Sequence, residues 1–167
     1  MKIIFAGFKG TWRRETAVIL AKRLGRELLD LEQMIEQQEK DRIAHISQVK
    51  GTEYLRKIES NLIEKFISHE NCLISTGPDA ISNPKLRHTL KINGIIIWFT
   101  AEPSVILLRL YPGKEGRNLI RRQHALAHIR QMMKEHDFSC FADRIIDTTA
   151  LSLDQTVDKV QQMLASF

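Results

Sequence analysis

Short uninterrupted apolar runs recur along the chain at Ile3–Ala6, Cys72–Ser75, Ile95–Phe99 and Ile145–Ile146, with Leu28–Leu29 as a weaker member. Runs without alternation suit strands buried on both faces. Between them the apolar period changes. Ala17, Leu20, Ala21 and Leu24 fall at i, i+3, i+4 and i+7, Leu55, Ile58, Leu62 and Phe66 mark one stripe of a longer helix, and Leu153, Val157, Val160 and Leu164 mark another. Strands alternating with such helices predict stacked βαβ units, hence an α/β fold whose parallel sheet is covered by helices on both sides. Ligands of such sheets bind beyond the carboxyl ends of the strands, so the segments after Ala6, Leu29, Ser75 and Phe99 are where chemistry is expected.

The 167 residues, 43% hydrophobic and 27% charged, carry no linker or fixed-period repeat and predict a single domain over 1–167. No stretch approaches the roughly 18 apolar residues of a membrane span, which points away from a membrane partner and toward a cytoplasmic location. Lys9, Arg13 and Arg14 follow the apolar start too soon for a secretory signal, so Met1–Gly7 reads as a strand. Cys72 and Cys140 form no metal or redox motif and are expected to be free core thiols. His124 and His128 share a helical face without a third ligand, which argues against a metal there.

The net charge of +5 is unevenly placed: residues 1–26 and 109–134 each hold seven basic side chains and one acidic, whereas 27–70 and 135–167 are acidic on balance. The two basic segments either converge on one polyanionic ligand or form solvated faces, and on charge alone the solvated face is the better reading. A nucleic-acid partner is not expected.

After the first strand comes Gly7-Phe8-Lys9-Gly10-Thr11-Trp12-Arg13-Arg14, opening the first helix. This is the position of a phosphate-binding loop, whose pattern GxxxxGK[ST] offers backbone N–H groups, a Lys for the outer phosphates and a hydroxyl for magnesium. The pattern is broken three times, by Trp12 at the second Gly, Arg13 at the Lys and Arg14 at the hydroxyl position. An indole adds bulk where phosphate oxygens approach the backbone, and Arg14 cannot ligate a cation. Trp12 is expected to occupy or cap the pocket of the β-phosphate.

Further along stand Leu28-Leu29-Asp30-Leu31-Glu32, Ile35-Glu36, Gly51-Thr52-Glu53-Tyr54-Leu55-Arg56, Ser75-Thr76-Gly77 and Gly116-Arg117-Asn118-Leu119. Together with the loop they resemble the shikimate kinases over roughly residues 2–165, with one extra residue near Tyr111 to Gly113. The resemblance implies a three-layer P-loop kinase fold with a five-stranded parallel sheet, a substrate-binding region at about 31–62 and a lid at about 112–122. The family moves the ATP γ-phosphoryl group to the shikimate 3-hydroxyl, with magnesium.

By the same resemblance, Gly7, Gly10, Thr11, Trp12, Arg13, Arg14, Arg109 and Asp147 lie at nucleotide-binding positions, the last in the family's adenine loop. Asp30 falls on the carboxylate that helps hold magnesium through water, and Glu32 on the base that receives the substrate proton. Arg13 and Arg117 fall on phosphate-stabilising positions. Arg56 matches the Arg that grips the shikimate carboxylate, and Lys134 stands for its partner Arg. Gly77 and Asp79 lie in the turn that lines the substrate.

The departures have physical meanings. Glu for Asp at 32 adds a methylene to a base that must sit within about 3 Å of its proton. Lys134 keeps charge but loses the bidentate fork. Pro78 removes a donor, and Asp79 sets a negative charge beside an anionic substrate. Without kinship, Asp30 and Glu32 would read as a solvated helix start, Arg13 and Arg14 likewise, Arg56 as a surface charge pairing with Glu53 or Glu59, and Arg117 as a solvated loop residue. The expectation is a monomeric shikimate kinase-like protein with a small-molecule anion as partner and its reaction lost or strongly impaired. The alternatives are an active kinase with an atypical loop, or a pseudokinase that binds an anion or a protein. ATP and Mg2+ are the cofactors if it is active, and otherwise none is expected.

Overall fold

The computed structural model describes residues 2–112 and 119–167. Strands β1 (Lys2–Gly7), β2 (Glu27–Asp30), β3 (Cys72–Thr76), β4 (Gly94–Thr100) and β5 (Arg144–Asp147) form one 5-stranded sheet in the order β2-β3-β1-β4-β5, every pair parallel. Parallel neighbours require long crossovers, which the helices supply. Helix α1 (Arg13–Arg23) leads from β1 to β2, and α2 (Leu31–Glu39), α3 (Ile43–Lys50) and α4 (Thr52–Phe66) lie between β2 and β3. Next come α5 (Pro78–Ser82) and α6 (Pro84–Asn93), then α7 (Pro103–Leu110) and α8 (Leu119–Glu135) after β4, and α9 (Leu153–Ala165) after β5.

All of β1 and β3 is buried, as unalternating apolar runs require. On one face Ile4, Ala6, Ile74 and Trp98 pack against residues of α4 to α8, and Phe8 meets Trp98 edge to face with ring centroids 5.5 Å apart. On the other, Ile3, Phe5, Leu73 and Phe99 pack against Ala17, Leu20 and Ala21 of α1 and Val157 and Val160 of α9. The three-layer expectation is confirmed. A smaller cluster of Ile35, Ile46, Leu55 and Ile58 holds α2, α3 and α4 together beside the sheet.

Three expectations are corrected. Leu24 ends the predicted stripe of α1 but follows the last helical residue and is exposed. Ile145 is half exposed, because β5 is an edge strand and only Ile146 reaches the core. Cys72 is buried as expected, whereas Cys140 lies exposed in a short 3-10 turn at Ser139–Phe141. Among the described residues no helix is long and apolar enough to cross a membrane.

The helix starts follow local chemistry. Pro occupies the first helical turn of α5, α6 and α7, where a missing N–H breaks no bond. Asn83 caps α6 through the amides of Lys85 and Leu86, and Ser152 with Gln155 forms a capping box on α9. The crevice at which the strand order reverses opens beyond the carboxyl end of β1, at Gly7.

Candidate active site

Gly7 has φ +137°, and a Cβ there would stand 2.2 Å from the carbonyl oxygen of Phe99, so no other residue fits beside β4. The chain then turns into α1 through Trp12, whose φ of 61° is left-handed backbone that normally falls to glycine. The backbone thus keeps the path of a phosphate loop although an indole stands on it.

The indole does not line the pocket at the loop mouth. A pocket of about 190 Å³ at the loop mouth is lined by Phe8, Lys9, Gly10, Arg13, Arg14, Glu15, Glu32 and Leu110. Trp12 turns instead toward α7, where the Arg109 guanidinium lies 4.7 Å from its ring centroid. Arg109 is itself anchored: it donates to the Gly10 oxygen at 3.1 Å, to Thr148 Oγ1 at 2.9 Å, to the Thr148 oxygen at 2.6 Å and to the Leu151 oxygen at 3.1 Å. A planar cation with its edges bonded leaves its faces for stacking, which the indole takes. Asp147, close by, is exposed and accepts from the Thr149 amide and hydroxyl. Thr11 is buried and donates to the Phe8 oxygen.

Arg13 is only 2% exposed. Its guanidinium reaches the Gly7 oxygen at 2.7 Å, the Thr76 oxygen, and Glu32 Oε2 at 2.7 Å. Burial pushes the Glu32 carboxyl up, but the Arg13 guanidinium, aided by Lys9 and Arg14, outweighs it and holds Glu32 below the usual carboxylate range. One residue on, Arg14 Nε lies 2.6 Å from Asp30 Oδ2, while Asp30 Oδ1 accepts from the Gln33 amide and caps α2. Both arginines of the altered loop are therefore matched to both acids that follow β2. The solvated helix start is excluded for Arg13 and Asp30, which are buried.

This donor set does not fit the metal that the resemblance implies. Arg14 replaces the hydroxyl, and the Asp30 carboxylate has a cation on one oxygen and a helix amide on the other. Asp30 Oδ2 makes no hydrogen bond, so the Arg14 cation beside it opposes a second cation there without filling the oxygen's lone pairs.

On the acceptor side, Gly77 is buried at the start of α5, and a Cβ there would meet Glu32 Oε1 at 3.0 Å. Asp79 is half exposed, with Oδ1 3.2 Å from His136 Nδ1. Arg56 pairs with Glu53 at 2.7 Å, one of the surface pairings open to it, and lines an outer cleft of about 420 Å³ with Ser60, Ser82 and Asn83. Lys134 is exposed and has no ion-pair partner among the described residues. Arg117 lies outside the described residues, as does most of the expected lid at 112–122.

Two residues were not singled out as site residues on sequence. Glu59 is 6% exposed, and its Oε2 has no hydrogen-bond partner. Burial, then the charges of Asp79 and Glu32, push its carboxyl up to about 8 against the pull of Arg56. The signal was available, since Glu59 falls on the inner stripe of Leu55, Ile58, Leu62 and Ile63. His136 carried no such signal, because its meeting with Asp79 depends on how α8 ends.

A family model described as shikimate kinase matches residues 10–165. A shikimate kinase of Pelotomaculum thermopropionicum is 34% identical over 163 residues, covering 97% of this chain and 94% of that one. Another, of Thermoanaerobacter pseudethanolicus, is 29% identical over 95% of this chain and 92% of its own length. The shikimate kinase of Acinetobacter baumannii, solved in complex with shikimate, superposes with a TM-score of 0.84 at 25% identity, covering 99% of this chain and 93% of that one. That of Bacteroides thetaiotaomicron gives 0.84 at 20% identity over 99% and 98%, a likeness of fold. With the parallel sheet, the loop path at Gly7 and the carboxylates after β2 already in place, this match over nearly the whole length shows that the chain belongs to the shikimate kinase family.

Proposed function

We propose that this protein is a shikimate kinase-like protein whose family reaction, transfer of the ATP γ-phosphoryl group to the shikimate 3-hydroxyl, is lost or strongly impaired. One observation carries the reading. Arg13 is bonded to Glu32, and Arg14 to Asp30, so the cations at the loop and the acids that would serve base and metal neutralise one another. The Arg13 guanidinium on Glu32 Oε2 holds the carboxyl below its ordinary range, which weakens Glu32 as an acceptor for a hydroxyl proton although Oε1 stays free toward Gly77. The Trp12–Arg109 stack supports the same reading, because it takes up a face of the arginine at the nucleotide end of the site.

Shikimate kinases use ATP and Mg2+, and here the residues do not suit them. On this proposal neither cofactor is used, whereas an active enzyme would need both. The test is an ADP-coupled assay with shikimate, ATP and magnesium, together with a calorimetric ATP titration. The proposal expects neither turnover nor ATP binding at millimolar concentration. Turnover near 1 per second, ordinary for kinases, would overturn it.

A further inference from the structure

Arg109 leaves α7 with both terminal nitrogens of its guanidinium engaged. Nη1 donates to the Gly10 oxygen and to Thr148 Oγ1, and Nη2 donates to the Thr148 and Leu151 oxygens. A guanidinium bonded along its edges cannot turn, and what it still offers is a flat cationic face. One face is taken by the chain itself, the Trp12 ring centroid lying 4.7 Å from the guanidinium carbon. The stack adjoins the loop-mouth pocket at Gly10, which lines that pocket and whose oxygen accepts from Arg109. At about 190 Å³ the pocket is below the roughly 300 Å³ at which small-molecule sites begin.

The indole is not seated there by preferences of its own. Its backbone is left-handed at φ 61°, a region that large L-residues avoid. Its Nε1–H is buried without a hydrogen-bond partner, where buried donors are ordinarily satisfied. Among the described residues, Trp12 belongs to none of the three apolar clusters that hold the helices to the sheet. The backbone and the N–H both oppose the position, and the core does not claim the ring. The face of Arg109 is the contact that retains it, by the attraction of a cation to an aromatic face.

We propose that the Trp12–Arg109 stack is an autoinhibitory contact, in which the indole occupies from within the chain the cationic face on which a planar heteroaromatic ring would otherwise stack. This deepens the reading of the chain as a family member without turnover, and it rests on that reading for the nucleotide end of the site. The contact acts separately from the ion pairs Arg13–Glu32 and Arg14–Asp30, which neutralise the loop's cations and its acids. Those pairs bear on phosphate and proton transfer, whereas the indole bears on the ring. Removing the indole alone frees the Arg109 face and leaves both pairs in place.

The probe is adenosine, which carries a planar base and no phosphate, so the ion pairs of the loop do not enter the measurement. The full chain is titrated at pH 7 by saturation-transfer NMR. Trp12→Gly, which suits the left-handed backbone and should therefore fold, is expected to bind adenosine at least about ten-fold more tightly than the unaltered protein. Trp12→Phe keeps a ring on the guanidinium and should stay as weak as the unaltered protein. Arg109→Lys, added to Trp12→Gly, keeps the charge without the flat face and should abolish the gain. Ribose should bind none of them. Adenosine bound as tightly by the unaltered protein as by Trp12→Gly, a gain that survives Arg109→Lys, or ribose bound as well as adenosine would each overturn the proposal. ADP formation by the unaltered protein with shikimate and ATP would overturn the loss of turnover and leave this order of adenosine affinities standing. Equal adenosine binding by all variants, without ADP formation, would do the reverse.

Discussion

At Trp12 the chain holds a bulky side chain in left-handed backbone, a conformation that costs a non-glycine residue about 1 kcal/mol. Together with the pairs Arg13–Glu32 and Arg14–Asp30, this makes the loop a set of three coupled changes. Reversing Arg14 alone leaves Asp30 without its cation, and reversing Trp12 alone leaves both ion pairs in place. The triple variant Trp12→Gly, Arg13→Lys, Arg14→Thr restores open backbone, an ammonium and a hydroxyl together, and is expected to gain ATP binding that a calorimetric titration detects while each single variant does not. Gly7 tolerates no such exchange. Gly7→Ala would drive a Cβ into the Phe99 carbonyl at 2.2 Å and should cost about 3 kcal/mol in urea unfolding. Glu59 acts through pH. Its carboxyl is raised from 4.5 to about 8 in the fold, so the folded state binds more protons than the unfolded chain, and stability falls as pH rises through that window. The loss is on the order of a few kcal/mol, and Glu59→Gln should flatten the pH profile of the unfolding midpoint. Glu32, lowered instead, stabilises above the carboxylate range and loses its contribution as pH falls.

Among the elements, what the sequence disclosed and what it hid follow from range. The strands at Ile3–Ala6 and Ile95–Phe99 were legible because burial on both faces leaves an unbroken apolar run. The stripe of α4 was legible from its helical period, though Glu59 within it was passed over because a charge on an apolar stripe looks like an interruption. The orientation of Trp12 was not legible, since it depends on Arg109, which is itself held by Thr148 and Leu151 far along the chain. Arg56 stood open on sequence between a substrate clamp and a surface pair, and its contact with Glu53 is local enough to have been read from the i, i+3 spacing. One helix end invites a direct test. Lys40 closes α2 in left-handed backbone at φ 55°, where glycine carries no Cβ penalty. Lys40→Gly is expected to raise stability by about 0.5–1 kcal/mol, read from the denaturant midpoint at unchanged slope.

At the scale of the molecule, Arg109 joins parts that the chain order separates. It links the first loop at Gly10 to the segment between β5 and α9 through four hydrogen bonds from one guanidinium. Arg109→Ala strands those acceptors and uncovers Trp12, and should cost about 2–3 kcal/mol, with raised hydrogen exchange at both 148–151 and 8–12. A surface arginine would show neither effect. The strand order carries a second consequence for the life of the protein. β1 pairs only with β3 and β4, so Ile3 waits for Leu73 and Ile95. During synthesis β1 emerges before either of its partners, which leaves its apolar run open to chaperones and to self-association until Thr100 has emerged.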